Sequence, residues 1–178
     1  AEEPVAEVKE AAPEPKPVAA KSYAETTKLD SFVTGLQIFQ KSIAADLGFK
    51  QAIADTLAGN YDRDAALATL KQLTTSAPCV VFTWEKSPFS NKALVALSDE
   101  AGANVKNVRL DDPWDEGNLL RAELGRLTGQ TSVPSVWIGG VYVGGFDGGP
   151  SEDAPGILRL AFRGKLQSML QEAGALKD

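Results

Sequence analysis

Residues 133–145, VPSVWIGGVYVGG, constrain the fold more than any other stretch of the chain. Two short runs rich in Val, Ile and aromatic residues flank Gly139-Gly140, a dipeptide that supplies the backbone freedom a tight hairpin needs. They predict two antiparallel strands. Upstream, CVVFTW (79–84) is a continuous apolar run with β-branched residues, the pattern of a strand buried on both faces. SPFSNKALVALSDEAG (87–102) then reads as a helix. ANVKNVRLDD alternates Val105, Val108 and Leu110 as a strand would, and DEGNLLRAELGRLTG is a helix ending at Gly129. SEDAPGILRLAFRGKLQSMLQEAGAL gives one broken helix or two consecutive ones. The order β-α-β-α-β-β-α starts parallel, turns back through a hairpin and ends on a covering helix. An α/β domain with a mixed four-stranded sheet follows.

Ahead of this domain the pattern is different. LDSFVTGLQIFQKSIAADLGF places Phe32, Leu36, Phe39 and Ile43 at helical spacing, QAIADTLAG is a second helix closed by Gly59-Asn60, and YDRDAALATLKQLTTSAP a third. In the third, Asp62 or Asp64 sits near the N-terminus, and Ala66, Leu67, Leu70 and Leu73 share one side. The first residues, AEEPVAEVKEAAPEPKPVAAKS, are Pro-, Ala- and Glu-rich with little to bury. The expected organisation is an extended tail over 1–28, a helical extension over 29–76, and the α/β domain over 77–178. The tail is expected to lie along a partner surface. A start of AEEP type, without Met or a signal-like apolar segment, fits a processed protein imported into an organelle, with a plastid as the expected compartment.

Composition removes several classes of chemistry. The chain has 178 residues and a net charge of −6, with no clustered Lys and Arg of the kind nucleic acid requires. No apolar run reaches the length of a membrane span. Histidine is absent, so Ser–His and Cys–His catalysis are excluded. Cys79 is the single cysteine, so no CxxC, intrachain disulfide or cysteine-built metal centre can form. Cys79 itself reads as a small buried hydrophobe. No cofactor and no metal are expected. The acidic residues Asp111, Asp112, Asp115 and Glu116 read as a solvated loop and helix start.

The element order is that of the thioredoxin-like fold, and residues 79–176 resemble a glutaredoxin. The resemblance rests on VVF at 80–82, Pro88-Phe89, LTGQTSVPSVWIGG at 127–140, VGG at 143–145 with Asp147, and KLQSMLQEAGAL. It implies a cysteine at position 87, at a helix N-terminus whose dipole stabilises the thiolate, and a second cysteine at 90. This chain has Ser87 and Ser90. Hydroxyls form no mixed disulfide with glutathione, and they cannot supply the thiolate that holds an iron–sulfur cluster in some glutaredoxins. The family's glutathione-pairing lysine is Trp84 here, and the segment that holds the γ-glutamyl end reads Gly144-Gly145-Phe146-Asp147-Gly148. Val133-Pro134 is the expected cis-proline.

Each residue also has a plain structural role. Serine followed by proline is a favoured helix start, so Ser87-Pro88 needs no catalytic explanation. Trp137 is expected in the core. Thr131, Val133, Pro134 and Asp147 are the candidates for residual glutathione binding. Trp84, Phe89 and Phe146 are expected to gather at the old groove, either plugging it or presenting an aromatic contact surface to a protein partner. The reading drawn from the sequence is a redox-inactive glutaredoxin-like protein that docks into a larger assembly, with a plastid photosynthetic complex as the expected setting. The alternatives are a sensor that holds glutathione without thiol chemistry, and an active glutaredoxin whose cysteines were replaced by engineering.

Overall fold

The computed structural model describes residues 28–177. The tail expected over 1–28 therefore lies outside the described residues except for Lys28, which begins a helix.

Three helices come first: α1 (Lys28–Ala44), α2 (Phe49–Ala58) and α3 (Arg63–Thr74). The α/β part follows with β1 (Cys79–Thr83), α4 (Pro88–Val95), β2 (Lys106–Arg109), α5 (Trp114–Thr128), β3 (Ser135–Ile138), β4 (Val141–Gly144), α6 (Ile157–Phe162) and α7 (Leu166–Glu172). A π-helical turn, Ala96–Glu100, prolongs α4. The single helix expected over 87–102 is thus an α-helix finished by a wider turn, and the C-terminal segment is two short helices separated at Gly164.

The strands lie in the order β2-β1-β3-β4. β1 runs parallel to β2 and antiparallel to β3, and β3 and β4 form the hairpin about Gly139-Gly140, both at positive φ. All five residues of β1 are buried, as its unbroken apolar run requires of a central strand. Successive side chains point to opposite faces and feed two cores. Cys79 and Val81 join Leu97, Val136, Ile138, Ile157 and Leu170 on one face. Val80 and Phe82 join Leu70, Leu110, Leu124 and Trp137 on the other.

Leu70 packs across the boundary expected after residue 76. It comes from α3 yet is fully buried against β1 and α5. The apolar side read on α3 is real, but it faces the sheet, because Asp62 caps the helix through the Ala65 amide and Pro78 turns the chain straight into β1. Among the described helices, α1 and α2 stand apart from the sheet. They pack on each other and, through α2, on α5.

Gly117 fixes where α5 crosses the end of β2. A Cβ there would lie 1.7 Å from the Leu110 carbonyl oxygen, so only glycine permits this approach.

Candidate functional site

Between β1 and α4 the chain makes a tight hydrogen-bonded turn. Ser87 N–H donates to the Trp84 carbonyl at 3.1 Å, and Ser87 Oγ accepts from the Ser90 amide at 3.2 Å. That is a serine N-cap with Pro88 in the first helical turn. Ser90 is fully buried, and its Oγ accepts from the Trp84 amide at 3.4 Å. Both hydroxyls are thereby committed to backbone amides. The loop before them is tied to β2: the Glu85 amide donates to Asp111 at 2.9 Å, and Arg109 pairs with Asp111 and Glu85 at 3.0 Å each. The Arg109 guanidinium holds the Asp111 carboxyl below the usual carboxylate range.

The aromatic residues divide into two groups, and the expected gathering of Trp84, Phe89 and Phe146 does not occur as one cluster. The Phe89 and Phe146 rings lie 6.3 Å apart, with Lys92 Nζ 5.5 Å from the Phe89 centroid. Phe146 packs on the Cys79–Leu170 core. Its backbone is held by α6, whose Leu158 amide donates to the Phe146 carbonyl at 2.9 Å. Trp84 packs instead on the opposite core, beside Trp114 at 5.9 Å, with the Arg121 guanidinium 4.6 Å above its ring. The physical reason is alternation. Trp84 follows β1 at a position that carries its side chain to the Phe82 face, whereas Phe146 follows β4 toward α6. Burial lowers the Arg121 pKa from its ordinary value. Arg121 is further anchored by Nε, which donates to the Thr131 carbonyl at 2.9 Å. The Trp84 indole N–H and both polar side-chain atoms of Asn118 are buried without partners among the described residues.

The remaining candidates are spread along this rim. Val133 packs against the Trp84 side, and the Val133-Pro134 bond is cis with Pro134 buried. Thr131 is buried, while Asp147 is exposed in the glycine-rich loop after β4. Trp137 sits in the core as expected, its indole N–H donating to Ser135 Oγ at 3.0 Å. Cys79 is fully buried and far along β1 from the turn. Burial pushes its thiol up to about 11, so it carries no reactive thiolate near neutral pH.

One polar cluster was not foreseen. Where α2 meets α5, Asp55 and Glu123 are both almost fully buried. Asp55 accepts from Ser42 Oγ and from Gln51 Nε2 at 2.7 Å, and pairs with Arg126 at 2.7 Å. Glu123 accepts from Tyr61 at 2.7 Å and Arg63 at 3.0 Å, and pairs with Arg126 at 3.3 Å. Gln51 also donates to the Ala122 carbonyl at 2.9 Å. Burial and the neighbouring Glu123 carboxylate raise the Tyr61 phenol well above its ordinary value. A cleft bounded by Phe49, Gln51, Gly125 and Thr131 runs along this junction. The available signal was Gly125, a glycine inside a helix. A Cβ there would lie 2.0 Å from Gln51 Oε1 and 2.4 Å from Thr131 Cγ2.

The surface carries further apolar residues. Phe89, Trp114 and Phe162 are 46%, 47% and 84% exposed. An apolar hollow of about 270 Å³ lies between Ala96, Phe146, Ile157 and Leu166. Among the described residues no helix is long and apolar enough to cross a membrane.

Comparison with known proteins gives a consistent set of likenesses. A family model described as Glutaredoxin matches residues 79–143. Glutaredoxin-C6 of Oryza sativa subsp. japonica is 38% identical over 111 residues, which is 62% of this chain and 90% of that protein. From the same organism, a protein named Glutaredoxin-C4, chloroplastic, is 35% identical over 62% of this chain and 76% of its own length. Among solved structures, the holo form of glutaredoxin C1 from Populus tremula x tremuloides superposes with a TM-score of 0.55 at 34% identity, covering 65% of this chain and 96% of that one. A buckwheat glutaredoxin–glutathione complex superposes with a TM-score of 0.55 at 33% identity and the same coverage.

Proposed function

Since the chain belongs to the glutaredoxin family, we propose that it is a redox-inactive member that serves as a docking subunit of a larger protein assembly in a plastid, with a photosynthetic complex as the setting. The observation that carries this reading is the turn before α4. Ser87 occupies the helix start where a nucleophilic thiol would stand, and both Ser87 and Ser90 spend their oxygens on backbone amides. Thiol–disulfide exchange needs a thiolate that attacks sulfur and a sulfur that leaves. The chain's only sulfhydryl is the buried, neutral Cys79.

Support for docking comes from the aromatic exposure on either side of this turn. Phe89 and Trp114 are each close to half exposed, and aromatics supply a disproportionate share of interface energy. The rice relative named as chloroplastic supports the compartment. The test is the native mass and composition of the particle holding this protein in gently lysed source cells, together with an assay of glutathione-dependent disulfide reduction by the purified chain. A large particle of defined composition and no turnover are expected. A free monomer, or robust turnover, would sink the reading.

A second reading is retention of glutathione without reaction, through Thr131, Val133, Pro134 and Asp147. It draws on the likeness to the buckwheat protein, whose structure is a complex with glutathione. Calorimetric titration with reduced glutathione separates the two readings. Saturable binding favours the sensor, and no heat of binding favours the docking subunit.

A further inference from the structure

The helical extension leaves an apolar face uncovered. On α2, Phe49, Ile53 and Leu57 recur every fourth residue on the side opposite Gln51, Ala52 and Asp55, which are buried. On α1, Val33, Leu36 and Ile43 point away from Gly35 and Ser42, which are buried. Leu47 lies in the connection. These seven side chains are between 37% and 64% exposed. The two stripes adjoin, because Phe39, on the Leu36–Ile43 side of α1, meets Phe49 edge to face at 5.8 Å. A paired-helix surface of this kind is not what solvent selects, and the Glutaredoxin family match begins only at residue 79.

We propose that this face is the self-association surface of the protein: two copies pair through their α1–α2 hairpins as a twofold helical bundle. Area and charge favour a second copy over other occupants. Seven half-exposed large side chains offer on the order of 600 Å² per copy, so a twofold pair buries about 1,200 Å², the lower edge of specific stable interfaces. Charge points the same way. Along α1, α2 and their connection the exposed charges with described side chains are Lys41, Asp46 and Lys50, whereas the whole chain carries −6. Two copies meeting here avoid the acidic repulsion that a net charge of −6 per chain otherwise brings. The chain's own residues 1–27 are a poor match for the face, since their large apolar residues are only Val5, Val8, Val18 and Tyr23.

The proposal stands apart from the reading of the serines: a dimer that reduced disulfides would sink that reading and leave this one intact. The test is analytical ultracentrifugation of the full chain between about 1 and 100 µM, a range that spans weak dimers. The expected result is concentration-dependent passage from 18.8 kDa to twice that mass. Ile53→Glu and Leu57→Glu are expected to weaken dimerisation at least about ten-fold. Leu36→Gln is expected to act in the same direction through α1, and circular dichroism confirms that the variants stay helical. Phe162→Glu, at an exposed phenylalanine outside the face, is expected to leave dimerisation unchanged. A chain that stays monomeric at 100 µM overturns the proposal. So does a dimer indifferent to Ile53→Glu, Leu57→Glu and Leu36→Gln, or one abolished by Phe162→Glu.

Discussion

Cys79, Tyr61 and Tyr142 are residues at which folding opposes ionisation on the alkaline side. Burial raises the thiol from 9.0 to about 11, burial with Glu123 raises the Tyr61 phenol, and burial raises that of Tyr142. A raised folded-state pKa gives stability that is complete below the unfolded value and is lost as pH climbs through the folded one. Urea unfolding should therefore be insensitive to these groups below pH 9 and should lose about 2–3 kcal/mol to the thiol between pH 9 and 11. Cys79→Val should reduce that loss, leaving the later contributions of Tyr61 and Tyr142. The same burial predicts that iodoacetamide at pH 8 labels Cys79 far faster in urea than in buffer. Ser87 poses a different question. A cysteine there would stand at a helix start that favours thiolate. Around it, however, Trp84 carries no ammonium and lies beneath Arg121, and Phe146 is pinned by α6. Ser87→Cys should give at most about a hundredth of the mixed-disulfide reductase rate of a catalytic relative. Near-normal activity would show instead that the rest of the groove is intact and that the serines were introduced.

At the scale of elements, the junction of α2 with α5 makes an unusual forecast for a glycine. In an exposed helix, Gly→Ala stabilises by about 1 kcal/mol. At Gly125 the new methyl meets Gln51 Oε1 and Thr131 Cγ2, and Gln51 is tethered to Asp55 and Ala122. Gly125→Ala should therefore destabilise, by about 1–2 kcal/mol in chemical denaturation. Glu123→Ala should cost about 2–3 kcal/mol, since it takes the carboxylate acceptor from the part-buried Tyr61 hydroxyl and leaves Arg126 with Asp55 alone, while the half-exposed Arg63 can turn to water. These effects mark the limit of what sequence reveals. The β1 run, the Gly139-Gly140 hairpin and the Ser87-Pro88 helix start were legible, because each is set by residues adjacent in the chain. The α2–α5 cluster was not, because Gln51 and Ala122, or Tyr61 and Glu123, meet across more than sixty residues with no local signature. Nor could spacing alone say that Leu36 and Ile43 would stay in solvent while Leu70, with the same helical periodicity, entered the sheet's core. Likewise Trp84 and Phe146 were placeable near the turn but not on opposite sides of the sheet, which depends on how each strand ends.

For the whole molecule, the buried carboxylates Asp55 and Glu123 tie α1, α2 and the start of α3 to α5, which should make the extension and the sheet unfold together. The three tryptophans, Trp84, Trp114 and Trp137, all report on the sheet and α5, whereas α1 and α2 contribute mainly to ellipticity. Fluorescence and far-ultraviolet circular dichroism should therefore follow one coincident urea transition. In Asp55→Ala the ellipticity change should come first, as α1 and α2 release ahead of the sheet. The same linkage has a consequence during synthesis. Gln51 leaves the ribosome 71 residues before Ala122, the residue to which it must donate. At about 5–20 residues per second, that separation lasts on the order of 4–14 s. Throughout that interval Asp55 has no Arg126, and the α2 face of Gln51, Ala52 and Ala54 has nothing to pack on. The nascent extension is thus a natural client for a holding chaperone until α5 emerges to receive it.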